Sequence, residues 1–322
     1  MPPPTKPRLE LLKQLIPPLS PKFHKGQAGR IAVVGGSEDY TGAPFYSGMS
    51  AMRLGADLCH IFCEPGAATP IKSYSPDLIV HPYMRKTEKN PDMTSSEIIE
   101  RISSQFHRLH VIVVGPGLSR DDKMIECATE LITKAKESRM PIVIDADGLF
   151  LVQSNPNVIK NYRNAVLTPN PNELKRLCET MGIRFDAEHK DTMAERLAQA
   201  FGGVTVLQKG PTDLISNGQK VFQVDDDGGL KRCGGQGDIL TGLIATFLAW
   251  GEAYKNKLWD HPNEISSEDI PMMASYASAK LMRECSRAAF QKHERATQTS
   301  DMLSEIGSAF RRIYGSSVDN KL

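Results

Sequence analysis

A series of short, unbroken apolar runs, most of them separated by segments of helical period, constrains this chain more than any other feature. The runs fall at 31–34, 58–63, 78–81, 111–114, 142–144, 165–167 and 204–207. Most do not alternate apolar with polar residues, the pattern of strands buried on both faces. Amphipathic helical segments such as 122–138 and 187–200 lie between several of them. This rhythm predicts an α/β fold, a mostly parallel central sheet covered by helices. Residues 213–216 and 220–224 flank Asn217-Gly218, a two-residue hairpin signal, so a small antiparallel hairpin is expected as well. Residues 8–17 read as a short amphipathic helix stopped by Pro17-Pro18. From Asp238 to about Tyr314 the chain reads as nearly all helical. A length of 322 residues fits one large α/β domain. The expected layout is an N-terminal extension over 1–20, one domain over 21–314 and a disordered tail over 315–322.

The ends of the runs carry the polar chemistry. Gly35-Gly36-Ser37, Gly115-Pro116-Gly117, Asp145-Ala146-Asp147, Thr168-Pro169-Asn170 and Lys209-Gly210 each follow a run directly. In an open α/β sheet the ligand sits beyond the carboxyl ends of the strands. The clustering predicts an active-site edge.

The densest signal is Gly228-Gly229-Leu230-Lys231-Arg232-Cys233-Gly234-Gly235-Gln236-Gly237-Asp238. Ile239, Leu240, Leu243, Ile244, Phe247 and Leu248 follow at helical spacing. The glycines therefore fall at a helix entrance, where unpaired N–H groups and the positive dipole end bind anions. Asp238 lies in the first turn, placed to take a proton from a hydroxyl that attacks a phosphate. The plainer readings are a tight connection and a carboxylate that only complements the dipole. The chain has neither a G-x-x-x-x-G-K-[ST] loop nor a G-x-G-x-x-G fingerprint.

Asn170, Pro171 and Glu173 form a helix start with a capping box, which is a sufficient structural role. A second role for Glu173 is an organiser of Mg²⁺ through water. Asp145 and Asp147 are open to binding metal or a substrate hydroxyl, or, for Asp147, to capping a helix that begins at Gly148. The segment Lys209, Gly210, Pro211, Thr212 and Asp213 is either a nucleotide contact or a turn.

Composition narrows the function. Lys+Arg 39 against Asp+Glu 38 leaves a net charge of +1, with no call for nucleic acid or an anionic membrane. No apolar run is long enough to span a bilayer, and the first residues lack a signal core or a transit-peptide pattern, so a cytoplasmic location is expected. None of the six cysteines shows C-x-x-C spacing. Cys233 alone borders the glycine loop, where a small residue fits the turn.

Taken together, the glycine loop ending in Asp238 and the Asn170–Glu173 motif resemble the ribokinase-like superfamily. Within it the chain resembles most the ATP-dependent NAD(P)H-hydrate dehydratases of eukaryotic type. That resemblance rests on 22–26, 40–44, 72–76, 115–118, 145–149, 167–170 and 232–238, in order over residues 20–312. It implies a three-layer α/β/α fold and ATP-driven removal of water from hydrated NADH or NADPH. It implies Asp238 as base, with Gly235 and Gly237 in the anion hole. ATP is expected at Lys209, Gly210, Pro211, Thr212 and Asp213 and at Gly228, Gly229, Leu230, Lys231, Arg232, Cys233, Gly234, Gly235, Gln236 and Gly237. The hydrate is expected at Gly117, Asn170, Pro171, Asn172, Glu173, Leu174, Lys175, Arg176 and Asp238. Mg²⁺ would accompany ATP, and a separate epimerase would be its functional partner. The oligomeric state is left open, a homo-oligomer included. The competing readings are a vitamin-alcohol kinase of the same superfamily and a nucleotide sensor without catalysis.

Overall fold

Alternate side chains of the central strands enter two separate apolar cores, which makes the molecule three layers deep. The computed structural model describes residues 4–87, 93–186 and 189–315. Nine strands form one sheet: β1 (Arg30–Val34), β2 (Leu58–Phe62), β3 (Ile79–His81), β4 (Val111–Val114), β5 (Ile142–Ile144), β6 (Ala165–Leu167), β7 (Thr205–Gln208), β8 (Asp213–Ser216) and β9 (Val221–Val224). Their spatial order is β3-β2-β1-β4-β5-β6-β7-β8-β9. Pairing is parallel from β3 to β7 and antiparallel for β7–β8 and β8–β9. In β1, Ile31 and Val33 join one core while Ala32 and Val34 join the other. Val111 and Val113 of β4 divide from Ile112 and Val114 in the same way.

The helices are α1 (Leu9–Gln14), α2 (Gly42–Leu54), α3 (Pro65–Tyr74), α4 (Ser95–Ser103), α5 (Asp122–Glu137), α6 (Asp147–Ser154), α7 (Pro171–Thr180), α8 (Met193–Ala200), α9 (Gln236–Lys255), α10 (Ile270–His293) and α11 (Thr299–Tyr314). Residues of α1, α2, α3, α9, α10 and α11 fill the first core. Those of α4 to α8 fill the second. The most enclosed helix is α9, where fifteen residues from Ile239 to Tyr254 are buried. No described helix is long and apolar enough to cross a membrane.

Several boundaries move. The N-terminal helix is only Leu9–Gln14, well short of Pro17. The segment expected to be helical from 187 begins as helix at Met193, after a 3₁₀ turn over Lys190–Thr192. Residues 187–188 lie outside the described residues, as does the tail expected beyond Gly315. The nearly continuous C-terminal helix is interrupted between Lys255 and Ile270. Lys257 and Asn263 both take positive φ there, and Pro262 withholds an N–H, so the helix cannot propagate.

The order of strands reverses between β1 and β4, because the chain goes one way to β2 and β3 and then crosses to β4. A crevice opens at such a switch point. Here the Gly36 N–H donates to the Gly117 carbonyl at 3.1 Å, tying the two loops that leave β1 and β4.

Candidate active site

The site is assembled where α9 begins. Gly235 is the N-cap residue, with φ +94°. A Cβ there would come 2.8 Å from the Thr299 Cγ2 and 3.1 Å from Tyr46 Cδ2, so glycine is required twice over. The Thr299 hydroxyl donates to the Gly234 carbonyl and fixes the loop from the α11 side. Gly237 has a different reason to be glycine. A Cβ on it would lie 3.2 Å from Asp145 Oδ2 and 3.3 Å from Lys209 Nζ. Those two side chains press against the first turn of α9, one residue before Asp238.

Asp145 leaves β5 and is only 3% exposed. Its Oδ1 accepts from Lys209 Nζ at 2.9 Å. Burial, then the Asp145 carboxylate, push the Asp238 carboxyl up to about 7, against the pull of Lys209 and of its own backbone. Burial and then Asp145 also raise Glu173. Burial would lower the Lys209 ammonium, but Asp145 and Glu173 outweigh it and hold the group above its usual value. Asp145 thus holds the ammonium directly, and the carboxyl groups of Glu173 and Asp238 also act on its charge. A carboxyl that titrates near neutrality beside an anion cradle is suited to taking a proton.

A cleft of about 360 Å³ opens beside this turn. Its lining includes Lys209, Gly210, Pro211, Asp213, Gly228, Arg232, Gln236 and Gly237, from both expected nucleotide segments. Thr212 is not in the lining. Leu230 is 82% exposed, and Lys231 turns away to donate to the Arg295 carbonyl at 3.0 Å. The Gly229 N–H donates to Ser286 Oγ at 3.2 Å.

Leu240, Met282, Arg283 and Ser286 also line the cleft, and the sequence reading did not include them. Arg283 of α10 donates to Asp213 Oδ2 at 2.8 Å, to the Gly210 carbonyl at 2.9 Å and to the Asp226 carbonyl at 2.9 Å. It ties the 209–213 segment to Asp226, two residues ahead of Gly228. No local motif marks it, because its partners lie far away in sequence.

The helix start at Asn170 forms as expected. Asn170 Oδ1 accepts from the N–H groups of Asn172 and Glu173, both at 3.0 Å, and Glu173 Oε2 accepts from the Asn170 N–H at 2.8 Å. The residues after it diverge. Pro171 lines the cleft. Glu173 and Arg176 border a smaller hollow with Arg120 and Phe150. Leu174 is 1% exposed and belongs to the core, while Lys175 pairs with Glu179 on the solvent face. Asp147 does not cap the helix after β5. It is the first residue of α6 and accepts from the Ser119 N–H at 2.9 Å and Arg120 Nε at 3.2 Å.

Among the described residues no three His, Cys, Asp or Glu side chains gather as a metal cage. Glu173, with one oxygen committed to Asn170, fits contact with a phosphate-bound Mg²⁺ through water. A larger cleft of about 600 Å³ lies between Pro7, α10 and α11. Its cations are already matched: Lys280 with Asp226, and Arg287 and Arg312 with Glu284. Size would select that cleft, but the chemistry selects the smaller one.

The family model described as NAD(P)H-hydrate dehydratase matches residues 31–308. An ATP-dependent (S)-NAD(P)H-hydrate dehydratase from Neurospora crassa is 47% identical, over 99% of this chain and 96% of that protein. A ribokinase-like superfamily protein from Enterococcus faecalis superposes with a TM-score of 0.74 at 20% identity, over 97% of each chain. The ADP/ATP-dependent NAD(P)H-hydrate dehydratase from Bacillus subtilis, co-crystallised with ATP and Mg²⁺, gives a TM-score of 0.66 at 19% identity, over 97% of this chain and 100% of that one. These two solved structures establish the ribokinase-like fold. By the matched family model and the extent of the identity, the chain belongs to the NAD(P)H-hydrate dehydratase family.

Proposed function

We propose that this chain uses ATP to dehydrate (6S)-NADHX and (6S)-NADPHX back to NADH and NADPH. The observation that carries it is the meeting of Asp238 with the glycine entrance of α9 at the end of the nucleotide cleft. In the hydrate, water has been added across the C5–C6 bond of the nicotinamide ring, and hydroxide on C6 is a poor leaving group. Asp238 takes the hydroxyl proton as the oxygen attacks the γ-phosphorus of ATP. The new O–P bond forms, the bond to the bridging oxygen breaks and ADP leaves. Backbone N–H groups of residues 234–237 meet the charge on the moving phosphoryl group. The C6–O bond then breaks with its electrons going to phosphate, helped by the ring-nitrogen lone pair, and loss of a C5 proton restores the double bond.

ATP occupies the cleft between 209–213 and 228–237, with Arg283 in its lining and bonded to Gly210 and Asp213. The hydrate reaches Asp238 from the side of Gly117 and the start of α7. Mg²⁺ bound to the ATP phosphates would neutralise part of their charge, with Glu173 touching it through water. The activity belongs to residues 21–314 as one domain. A cytoplasmic site suits the cysteines, all free among the described residues. Because the curated relatives act on the (S) hydrate, a separate epimerase would recover the other epimer.

The test is product analysis with purified hydrate. The expected result is reduced nicotinamide, ADP and free phosphate in equal amounts. A stable phosphorylated alcohol as product would favour a vitamin-alcohol kinase. ATP binding with no substrate-dependent turnover would favour a sensor.

A further inference from the structure

Asp145 has no part in the chemistry above, yet its placement is costly. It is almost wholly buried, and the residue after it, Ala146, has φ +49° and ψ −120°. That backbone conformation is strained for a residue with a Cβ, by about 1–3 kcal/mol, and such strain concentrates at working sites. The Asp145 backbone is pinned on both sides: its N–H donates to the Val114 carbonyl and its carbonyl accepts from the Gly148 N–H. The sharp exit at Ala146 leaves the Asp145 carboxylate facing Lys209 rather than capping α6. A buried ion pair adds little to stability against an apolar pair of similar volume. Stability therefore does not explain why a strained turn is kept to make one.

We propose that Asp145 is a positioning residue for the reaction: its carboxylate fixes the Lys209 ammonium against Gly237, between the phosphate cradle and the base. The inference rests on the reading of Asp238 as that base. Lys209 enters from the end of β7, where its N–H donates to the Pro169 carbonyl at 3.0 Å. Its ammonium lines the nucleotide cleft and sits beside the first turn of α9. A free lysine side chain would sweep through many rotamers there. Held by Asp145 at 2.9 Å, it presents its charge at one point.

The same pair sets the charge seen by Asp238. Asp145 opposes its ionisation and Lys209 favours it. Other charged and titratable groups approach from the elements around it. Tyr46 comes from α2, with Cys233 of the glycine loop and Asp301 of α11 acting on that tyrosine, and Glu173 of α7 acts on Lys209 beside it, with Arg176 in turn acting on Glu173. Arg283 of α10 is taken up by Asp213 across the cleft.

The decisive experiment is the pH profile of kcat/KM for the hydrate at saturating ATP, so that the titration of the nucleotide does not intrude. Wild-type protein should show an acid limb near neutrality. Asp145→Asn should shift that limb to lower pH, and Lys209→Met should shift it to higher pH, each by about one unit. Lys209→Met should also raise the KM for ATP, and Lys209→Arg should return the limb towards wild type. A side chain that only supports the fold would lower kcat without moving the limb in opposite directions. A limb that stays in place in both variants overturns the proposal. Should Asp145→Asn fail to fold, Lys209→Met decides alone, and an unmoved limb is again a refutation. An acid limb missing from the wild-type enzyme would overturn the reading of Asp238 itself, and this inference with it. A limb that is present but unmoved overturns this inference only.

Discussion

Two neighbouring glycines should respond very differently to the same methyl group. At Gly235 the backbone is left-handed, and alanine there costs about 1–2 kcal/mol before any contact is counted. The added Cβ would lie 2.8 Å from Thr299 Cγ2, so the threonine must shift. That shift weakens the bond from its hydroxyl to the Gly234 carbonyl, at a further cost of about 1 kcal/mol. The sum is about 2–3 kcal/mol, equivalent to a fall in Tm of roughly 3–4 °C for a chain of this size. The cradle moves with the loop, so kcat should fall about 10²-fold, as when one oxyanion donor is lost. Gly234 has no atom within 4 Å of the corresponding Cβ position and no positive φ. Gly234→Ala should therefore leave Tm within about 1 °C of wild type. Thermal unfolding and steady-state kinetics on both variants test this. Equal melting temperatures, with kcat intact in Gly235→Ala, would refute the reasoning.

Two other outcomes follow from the charges. With the Asp238 carboxyl near 7, its ionised fraction rises from about one tenth at pH 6 to about one half at pH 7, and kcat/KM should rise about fivefold between them. A flat profile there counts against Asp238 as the base. The same shift acts on stability in the opposite sense. The folded-state value lies above the ordinary 3.8, so this group's contribution is greatest below about pH 4 and is lost as pH rises towards about 7. Urea unfolding of wild type and Asp238→Asn across that window should show the difference between them changing with that sign. Arg283→Ala releases Gly210, Asp213 and the Asp226 carbonyl together, so the KM for ATP should rise about tenfold or more while the KM for the hydrate changes little. Equal changes in both constants would show that Arg283 does not serve the nucleotide cleft selectively.

Much of the fold was legible because its signals are local. The unbroken apolar runs, the hairpin at Asn217-Gly218 and the capping box at Asn170 each depend on a few adjacent residues. The entrance of α9 was legible for the same reason: glycines and a carboxylate precede a helical apolar stripe. What escaped depends on distant pairing. Asp145 could be marked as polar and suitably placed, but its partner Lys209 is 64 residues away. Arg283 is 70 residues from Asp213 and sits in a helix whose sequence reads as an ordinary charged face. Capping of α6 was one of the roles the sequence left open for Asp147, because its spacing allows it. The positive φ at Ala146 starts the helix one residue earlier and gives Asp147 to the loop after β4. The run 170–176 looked like one substrate-facing strip, but the helical period sends Leu174 to the core and Lys175 to solvent.

The central claim is that the hydrate oxygen itself is phosphorylated before it leaves. Hydrate carrying heavy oxygen on C6 reports this directly when the released phosphate is weighed by mass spectrometry. Transfer through Asp238 and the glycine cradle predicts one heavy oxygen in every phosphate formed. Heavy oxygen recovered in water, with unlabelled phosphate, would mean that ATP is cleaved without touching the substrate hydroxyl, and the account would be wrong.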